Sequence, residues 1–467
     1  MSIDLRLDPS EVALLTDLYE LTVSAAFFDH GFNETASFEV AMRRMPPSRG
    51  FMIAAGVERL IEALEEFHFD AAAIAHLESL KLFKPEFLNH LATLRFTGSV
   101  RALPEGTIYF AGEPILEVRA PLIEAQLLET LVLNQLGFAS IVATKAARCF
   151  AVAGGRRLVD FGPRRAQGAD ASLIAARSSY LAGFHGTANV LAGKRYGIPV
   201  FGTMSHSFVM AHEHERDAFG DFASSFPTLS TLLADTYDTV RGVENVAAVA
   251  AKLHDAGVRI QGVRLDSGDL YDLSRKARRI LDQAGFTDVS IVASGNLDEY
   301  KIAELVDAGA PIDAFGVGTA LAVSDDAPAG DFTYKLVDYR DHARLKTSAG
   351  KISVPGRKQL FRAFVPNGSF YTDLVGIFDE SPATVAREFR PLPARTVQLL
   401  EPMVENGRRL LPRPTLTEAR ERVMNGLTAL DARYKMLRRP AEFPVRHTAA
   451  LNALVISEKL RAQKRQD

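Results

Sequence analysis

From Arg157 to Gly318 the chain repeats one phrase six times: a short β-branched or apolar run, then a polar or glycine-rich turn. The runs are Arg157–Phe161, Ile198–Thr203, Leu229–Asp235, Ile260–Asp266, Val289–Ser294 and Ala314–Gly318. Between them lie helical stripes. Val243, Val246, Ala250 and Leu253 form one, closed by Gly257; Leu270, Leu273, Ala277 and Ile280 form another, closed by Gly285. Leu305 and Val306 end a third before Gly309, and each glycine stands where a helix needs a left-handed terminal residue. Spacings of about 24 to 41 residues match successive βαβ units. Six such strands favour an irregular α/β barrel over an open doubly wound sheet.

In parallel α/β folds the C-terminal strand ends form one shared ligand face. Here those ends read Asp160-Phe161-Gly162-Pro163-Arg164-Arg165, Thr203-Met204-Ser205-His206, Asp235-Thr236-Tyr237-Asp238, Arg264-Leu265-Asp266-Ser267-Gly268-Asp269, Ser294-Gly295-Asn296 and Gly316-Val317-Gly318-Thr319. Helix capping accounts for Asn296 or Asp298, but not for Arg164, His206 and Arg264. Guanidinium forks suit planar anions such as carboxylate and phosphate. Gly295, Gly316 and Gly318 let backbone N–H groups approach phosphate oxygens, although GVGT alone is equally well an ordinary turn. Asp266 and Asp269 suit a ribose diol or a Mg²⁺ ion bridging phosphates. Together the six ends predict an anionic phosphosugar ligand.

His206 has three readings: a satisfied buried histidine, a metal ligand with His212 and His214, or a nucleophile that takes a phosphoryl group. The metal reading is weak, since His212 and His214, two apart, diverge on a helix. The nucleophile needs a carboxylate to orient its ring, and Asp235 on the next strand end is the candidate. No G-x-x-x-x-G-K-[ST] loop and no G-x-G-x-x-G opening a helix is present, so any ATP uses an unconventional site.

Composition narrows the class. Fifty-four basic against 57 acidic residues give a net charge of −3, which supplies no field for nucleic acid. A single cysteine, Cys149, excludes a disulfide framework and a thiolate cluster. The first residues, MSIDLRLDPSEVALL, are acidic where a signal peptide is basic, and no run of apolar residues is long enough to span a membrane, so a cytoplasmic protein is expected. Before the repeat, an α+β block opens with a helical pattern at Asp8-Pro9-Ser10 carrying Val12, Leu15, Leu18 and Leu21, and continues with a strand at Thr35–Met42. After it, a basic segment runs from Tyr334 through Arg340, Arg344, Lys346, Lys351, Arg357 and Lys358, with Ser348 and Ser353. Arg340 and Arg344 read as a solvated hairpin face, whereas Lys346–Lys358, with Gly350 and Pro355-Gly356, suits a loop closing over a diphosphate.

The segments Thr16-Asp17-Leu18-Tyr19-Glu20, Phe161 to Gly168, Gly202 to Ser207, Val263 to Asp269 and Gly316 to Thr319 resemble nicotinate phosphoribosyltransferase in order and spacing, from about Leu14 to Arg362. The resemblance implies transfer of a phosphoribosyl group from 5-phosphoribosyl-1-diphosphate to nicotinate, giving nicotinate mononucleotide and diphosphate in NAD salvage. It also implies ATP hydrolysis through a phosphohistidine, here His206, with Mg²⁺ on the phosphates. Phe161 and, from the partner subunit of a homodimer, Tyr19 look like plates sandwiching the pyridine. Arg264 and Thr203 resemble the carboxylate-binding pair. Arg164, Asp266, Ser294, Gly295, Gly316, Gly318 and Ser353 resemble phosphoribosyl and phosphate contacts, to which the motif readings add Thr319 and Lys346. The family fold is an N-terminal α/β domain, a type II phosphoribosyltransferase barrel and a C-terminal segment folding back, expected here at 1–135, 136–360 and 361–467.

One position separates close relatives. The nicotinamide-using branch carries an Asp in the helix after the Phe/Arg strand, where Phe184-His185-Gly186-Thr187 puts Ala188 in this chain. Without that acceptor a carboxylate is not repelled, so nicotinate is favoured, although Ala188 also reads as a small packing residue. Ser205 stands where the family often has Ala. The competing expectations are a nicotinamide phosphoribosyltransferase, a barrel metal-dependent hydrolase and a ligand sensor without turnover.

Overall fold

The stripe that opens the chain breaks at Thr16-Asp17, because Asp at that point competes with the backbone and caps a new helix. Pro9–Leu14 is a single stretch of 3-10 helix, and the α-helix starts afresh at Leu18–Asp29. Glu20 accepts from the Asp17 N–H at 3.4 Å, the reciprocal half of a capping box. The computed structural model describes residues 9–254, 257–347 and 353–464. Two compact units divide the chain, one built from 1–141 with 327–467 and the other from 142–326.

In the first unit the strand Thr35–Met42 lies between Pro114–Pro121 and Phe332–Tyr339, antiparallel to both. A strand so flanked is buried on nearly every residue instead of alternating, as its pattern shows. Phe38 stacks on Tyr334 across the pairing, with ring centroids 4.9 Å apart. Residues 327–360, expected with the barrel, thus belong to this unit: a central strand pair holds them there. The C-terminal region folds back as expected. Glu401–Glu405 pairs with Ser99–Ala102, and Val445–His447 adds in parallel to Phe370–Ile377. Beneath that second sheet the Arg362 guanidinium, fully buried, meets the Asp373 carboxylate at 2.6 Å and lies 4.3 Å from the Phe370 ring centre.

The second unit carries the six-stranded sheet that the repeat predicts, every pairing in it parallel. Its strands, first to sixth in chain order, are Arg157–Asp160, Gly186–Thr187, Thr231–Leu233, Gly262–Leu265, Ser290–Ala293 and Ala314–Val317. The second differs from expectation. Ile198–Thr203 touches the sheet only through a bridge at Val200, and Gly186–Thr187 takes its place. Gly186 permits this, because a side chain there would meet the Pro199 carbonyl oxygen at 2.3 Å. Across the sheet the strands follow one another as third, fourth, fifth, sixth, first, second. A doubly wound sheet reverses direction at a switch point; this succession never does, and its last strand returns beside its first, as in an α/β barrel. Leu158, Val263, Leu265, Ile291, Phe315 and Val317 are buried beneath the strands, each contributing roughly 1.5–3 kcal/mol. The helices Thr239–His254, Leu270–Gln283 and Glu299–Asp307 end, as read, before Gly257, Gly285 and Gly309, with φ of 76°, 85° and 70°.

Candidate active site

Parallel pairing brings the C-terminal ends of the second unit's strands to one rim. At its centre is Arg264 of the fourth strand, its side chain 13% exposed. Nε donates to Ser294 Oγ at 2.8 Å, Nη1 to Thr203 Oγ1 at 3.0 Å and Nη2 to Asp266 Oδ1 at 2.8 Å. A guanidinium has about five N–H donors, so these three bonds leave one on each terminal nitrogen. One donor thus stays available on each terminal nitrogen for an anionic group. The Arg264 carbon lies 5.2 Å from the centre of the Phe161 ring, which bounds the same space. Gly316 makes room for that ring, since a Cβ there would stand 2.4 Å from it.

Asp266 is the most connected carboxylate of the rim. Ser294 Oγ and Arg264 both donate to its Oδ1. Burial raises its pKa, but the Ser294 hydroxyl, Arg264 and His206 outweigh that and hold it below the usual range. The turn beneath it needs glycine at 295, where φ is 90° and a side chain would strike the Asp266 carbonyl oxygen at 1.9 Å.

His206 sits between two partners. Nδ1 is 3.1 Å from Thr236 Oγ1, and Nε2 faces Asp266 Oδ2 at 3.9 Å. Asp235 therefore does not orient the ring as expected. Its Oδ2 is taken by the Asp266 N–H at 3.1 Å and the Ser267 hydroxyl at 2.6 Å, so it braces the neighbouring turn. The hydroxyl one residue on, Thr236, reaches the imidazole instead. Ser205 caps the short helix His206–Met210, accepting from Phe208 N at 3.4 Å. His212 bonds the Phe208 carbonyl at 2.8 Å and faces Asp221, away from any shared ligand set with His206.

A second buried carboxylate, Asp160, closes the first strand. It is 1% exposed, and its oxygens accept from Gly162 N at 2.8 Å and Thr187 Oγ1 at 2.7 Å. Burial pushes it up to about 6 against those two bonds. Ala188 follows the second strand directly, not inside a helix as expected, and its N–H donates to the Asp160 carbonyl at 2.8 Å. Thr236, Ser267, Asp160 and Thr187 are further site residues that the sequence motifs do not single out. Their only signal in the sequence is a hydroxyl or carboxylate next to Asp235, Asp266, Phe161 and Ala188.

The remaining candidates are more dispersed. Arg164 is exposed in the 3-10 turn Pro163–Arg165, and Thr319 opens the helix Thr319–Ala322 after Gly318. In the first unit Tyr19 is 46% exposed, and burial with the nearby Glu129 carboxylate pushes its phenol up. Ser353 Oγ accepts from Lys346 N at 3.0 Å, and both residues line a cavity of about 530 Å³ with Arg43, Arg44 and Lys335. Lys358 lines the same cavity but is buried against Glu39 at 3.1 Å and donates to the Val354 and Gly356 carbonyls. Ser348, Gly350 and Lys351 lie outside the described residues. Among the described residues no group of three or more His, Cys, Asp or Glu is arranged to hold a metal, and no helix is long and apolar enough to cross a membrane.

Three family models match in register with this architecture. The nicotinate phosphoribosyltransferase N-terminal domain matches 14–137, the family's central model 156–339, which contains the whole rim, and its C-terminal domain 357–455. A nicotinate phosphoribosyltransferase of Mycobacterium tuberculosis is 48% identical over 91% of this chain and 89% of its own length. The Bacillus subtilis enzyme of that name is 37% identical over 93% and 92%. The crystal structure of the human nicotinic acid phosphoribosyltransferase superposes with a TM-score of 0.84 at 32% identity, over 95% of this chain and 99% of that one. The nicotinate-nucleotide pyrophosphorylase of Pyrococcus furiosus follows at 0.74 and 26%, over 92% and 99%. With three family models and near full-length relatives meeting on this rim, the chain belongs to the nicotinate phosphoribosyltransferase family of NAD-salvage enzymes.

Proposed function

We propose that the rim joins nicotinate to 5-phosphoribosyl-1-diphosphate, with ATP hydrolysed through a phosphohistidine at His206. The observation that carries this reading is the Arg264 guanidinium, held by three bonds with one donor left on each terminal nitrogen, 5.2 Å from the Phe161 ring. A flat heterocycle stacked on Phe161 would set its carboxylate against those two donors, with the Thr203 hydroxyl beside it. The pyridine nitrogen then attacks the ribose anomeric carbon as the bond to diphosphate breaks. Positioning and charge do most of the work in such a displacement. Asp266, kept ionised by its partners, stabilises the positive charge that develops on the ribose.

His206 takes the γ-phosphoryl group of ATP on Nε2, because Nδ1 is engaged by Thr236; ADP leaves, and water later releases phosphate. The added negative charge next to the diphosphate pocket couples the two reactions. ATP and phosphoribosyl diphosphate take turns at one phosphate pocket, in which Arg164, Ser294, Gly295, Gly316, Gly318 and Thr319 are the expected contacts of this unit. Lys346 and Ser353, on the cationic cavity of the other unit, are the remaining phosphate candidates.

Magnesium fits the residues present. Asp235 Oδ1 is buried without a hydrogen-bond partner, and Mg²⁺ commonly takes one or two carboxylates together with substrate phosphates. Asp235 and Asp266 would hold it, and the ion supplies neutralisation of the departing diphosphate. The enzyme works as a cytoplasmic homodimer in which the exposed Tyr19 ring completes the partner's pyridine site. Nicotinate is preferred over nicotinamide because Ala188 offers no carboxylate to accept from an amide. Comparing the two pyridines as substrates tests this: equal or better use of nicotinamide would overturn it.

A further inference from the structure

We propose that Asp160 is a positioning residue for the pyridine: it sets the gap between the Phe161 plate and Ala188, the residue that discriminates acid from amide. The inference rests on the functional reading above and adds a residue to it. Asp160 ends the first strand and lies in register with Thr187 of the second and Val317 of the sixth. It binds both loops that leave this edge of the rim. On one side Oδ1 accepts from Gly162 N at 2.8 Å, closing the turn that carries Phe161. On the other, Oδ2 accepts from Thr187 Oγ1 at 2.7 Å, and Thr187 Oγ1 accepts from Asn189 N at 3.0 Å. The Asp160 carbonyl takes the Ala188 N–H at 2.8 Å, so side chain and backbone of one residue hold 187, 188 and 189.

The turn packs closely: a side chain at position 162 would stand 2.7 Å from the Ala322 Cβ and 2.9 Å from the Gly318 carbonyl oxygen, so only glycine fits where Asp160 holds it. Asn189 continues the loop by donating to Ser172 Oγ at 3.2 Å and capping the helix Val190–Tyr196. Neither partner of the Asp160 carboxylate is a cation, so the group is poorly compensated for a charge in the interior. A neutral apolar residue would be cheaper to bury there. What a carboxylate adds is two acceptor atoms pointing opposite ways, which tie two strand ends at a fixed distance. Asparagine keeps the shape but offers an N–H toward Thr187, whose hydroxyl hydrogen then loses its acceptor.

Steady-state kinetics on Asp160→Asn, Thr187→Val and Thr187→Ser test the assignment. The expected result is a KM for nicotinate raised about tenfold in Asp160→Asn and about fivefold in Thr187→Val. The KM for phosphoribosyl diphosphate stays within about twofold, and Thr187→Ser, which keeps the hydroxyl, returns the nicotinate KM to the parent value. The nicotinate-to-nicotinamide ratio of kcat/KM falls in the first two variants. If instead all three keep the parent KM for nicotinate while kcat drops with the folded fraction, Asp160 supports the fold alone and the proposal fails. Should Asp160→Asn not fold, the Thr187 pair decides by the same readouts. Parent enzyme that turns over no nicotinate at all would sink the functional reading itself, a result distinct from unchanged KM values in the variants.

Discussion

Two carboxylates close neighbouring parts of the same rim and have opposite electrostatics. Asp266 ends the fourth strand region with Arg264, Ser294 and His206 around it and is held below its usual pKa. Asp160 ends the first strand with only an amide and a hydroxyl, and burial lifts it to about 6. Carboxylates at the strand ends of one sheet are therefore tuned by what the neighbouring residues supply. Where a cation stands two residues earlier in the strand, as Arg264 does before Asp266, the carboxylate becomes part of the reacting surface. Where none does, it becomes a fastening.

The largest expected effect lies on the Asp266 side. Arg264→Ala removes the fork and the main charge partner of Asp266, and kcat/KM for nicotinate should fall by about 10³-fold. Arg264→Lys should recover little of it, because an ammonium cannot take two carboxylate oxygens side by side. Next, Ala188→Asp should lower nicotinate use by about 10²-fold and raise nicotinamide use, read as the ratio of the two kcat/KM values. A smaller loss, on the order of tenfold in ATP stimulation, is expected for Thr236→Val, with Thr236→Ser near the parent. If Asp235 and not Thr236 orients the imidazole, Thr236→Val will leave ATP stimulation unchanged.

A stability measurement, with no substrate present, separates the two carboxylates. Asp160 has a folded pKa raised above its ordinary value of 3.8, so the folded state binds the extra proton between about 4 and 6. Its favourable contribution is complete below that window and lost as pH rises through 6. Urea titrations at pH 4 and pH 7 should show Asp160→Asn gaining up to about 3 kcal/mol on the parent between the two. Asp266, with its pKa lowered, has the opposite sign: its contribution is present at neutral pH and fades as pH falls below the ordinary carboxylate value. Asp266→Asn should accordingly lose ground at pH 7. A variant that gains on the parent as pH rises but binds nicotinate less well is the trade expected of a carboxylate buried for function.

Legibility in the sequence followed the same division. The parallel unit was readable because local pattern and position coincide there: an apolar run, a polar end and a closing glycine repeat at regular spacing, and the fold collects those ends automatically. Arg264 and Asp266 stand out at the strand ends by their chemistry, Thr203 and Ser294 through the family resemblance, and all four meet in one hydrogen-bonded cluster. The differences are of one residue or one strand. Thr236 is hidden beside Asp235, because a carboxylate is the usual partner of a histidine and side-chain reach within a turn is not visible in spacing. Ile198–Thr203 reads as a strand and Gly186–Thr187 does not, because a two-residue strand leaves no periodicity. The other unit was less legible, since its central sheet pairs Thr35–Met42 with Phe332–Tyr339, almost 300 residues away, and no local signal encodes such a pairing.

The most direct test of the central claim is mononucleotide formation from nicotinate and 5-phosphoribosyl-1-diphosphate, with and without ATP, for the parent and His206→Ala. The phosphohistidine reading predicts that ATP stimulates the parent and not the variant, with a slow ATP-independent rate left in both. Equal ATP stimulation in the two proteins would contradict it, and would move the coupling away from His206.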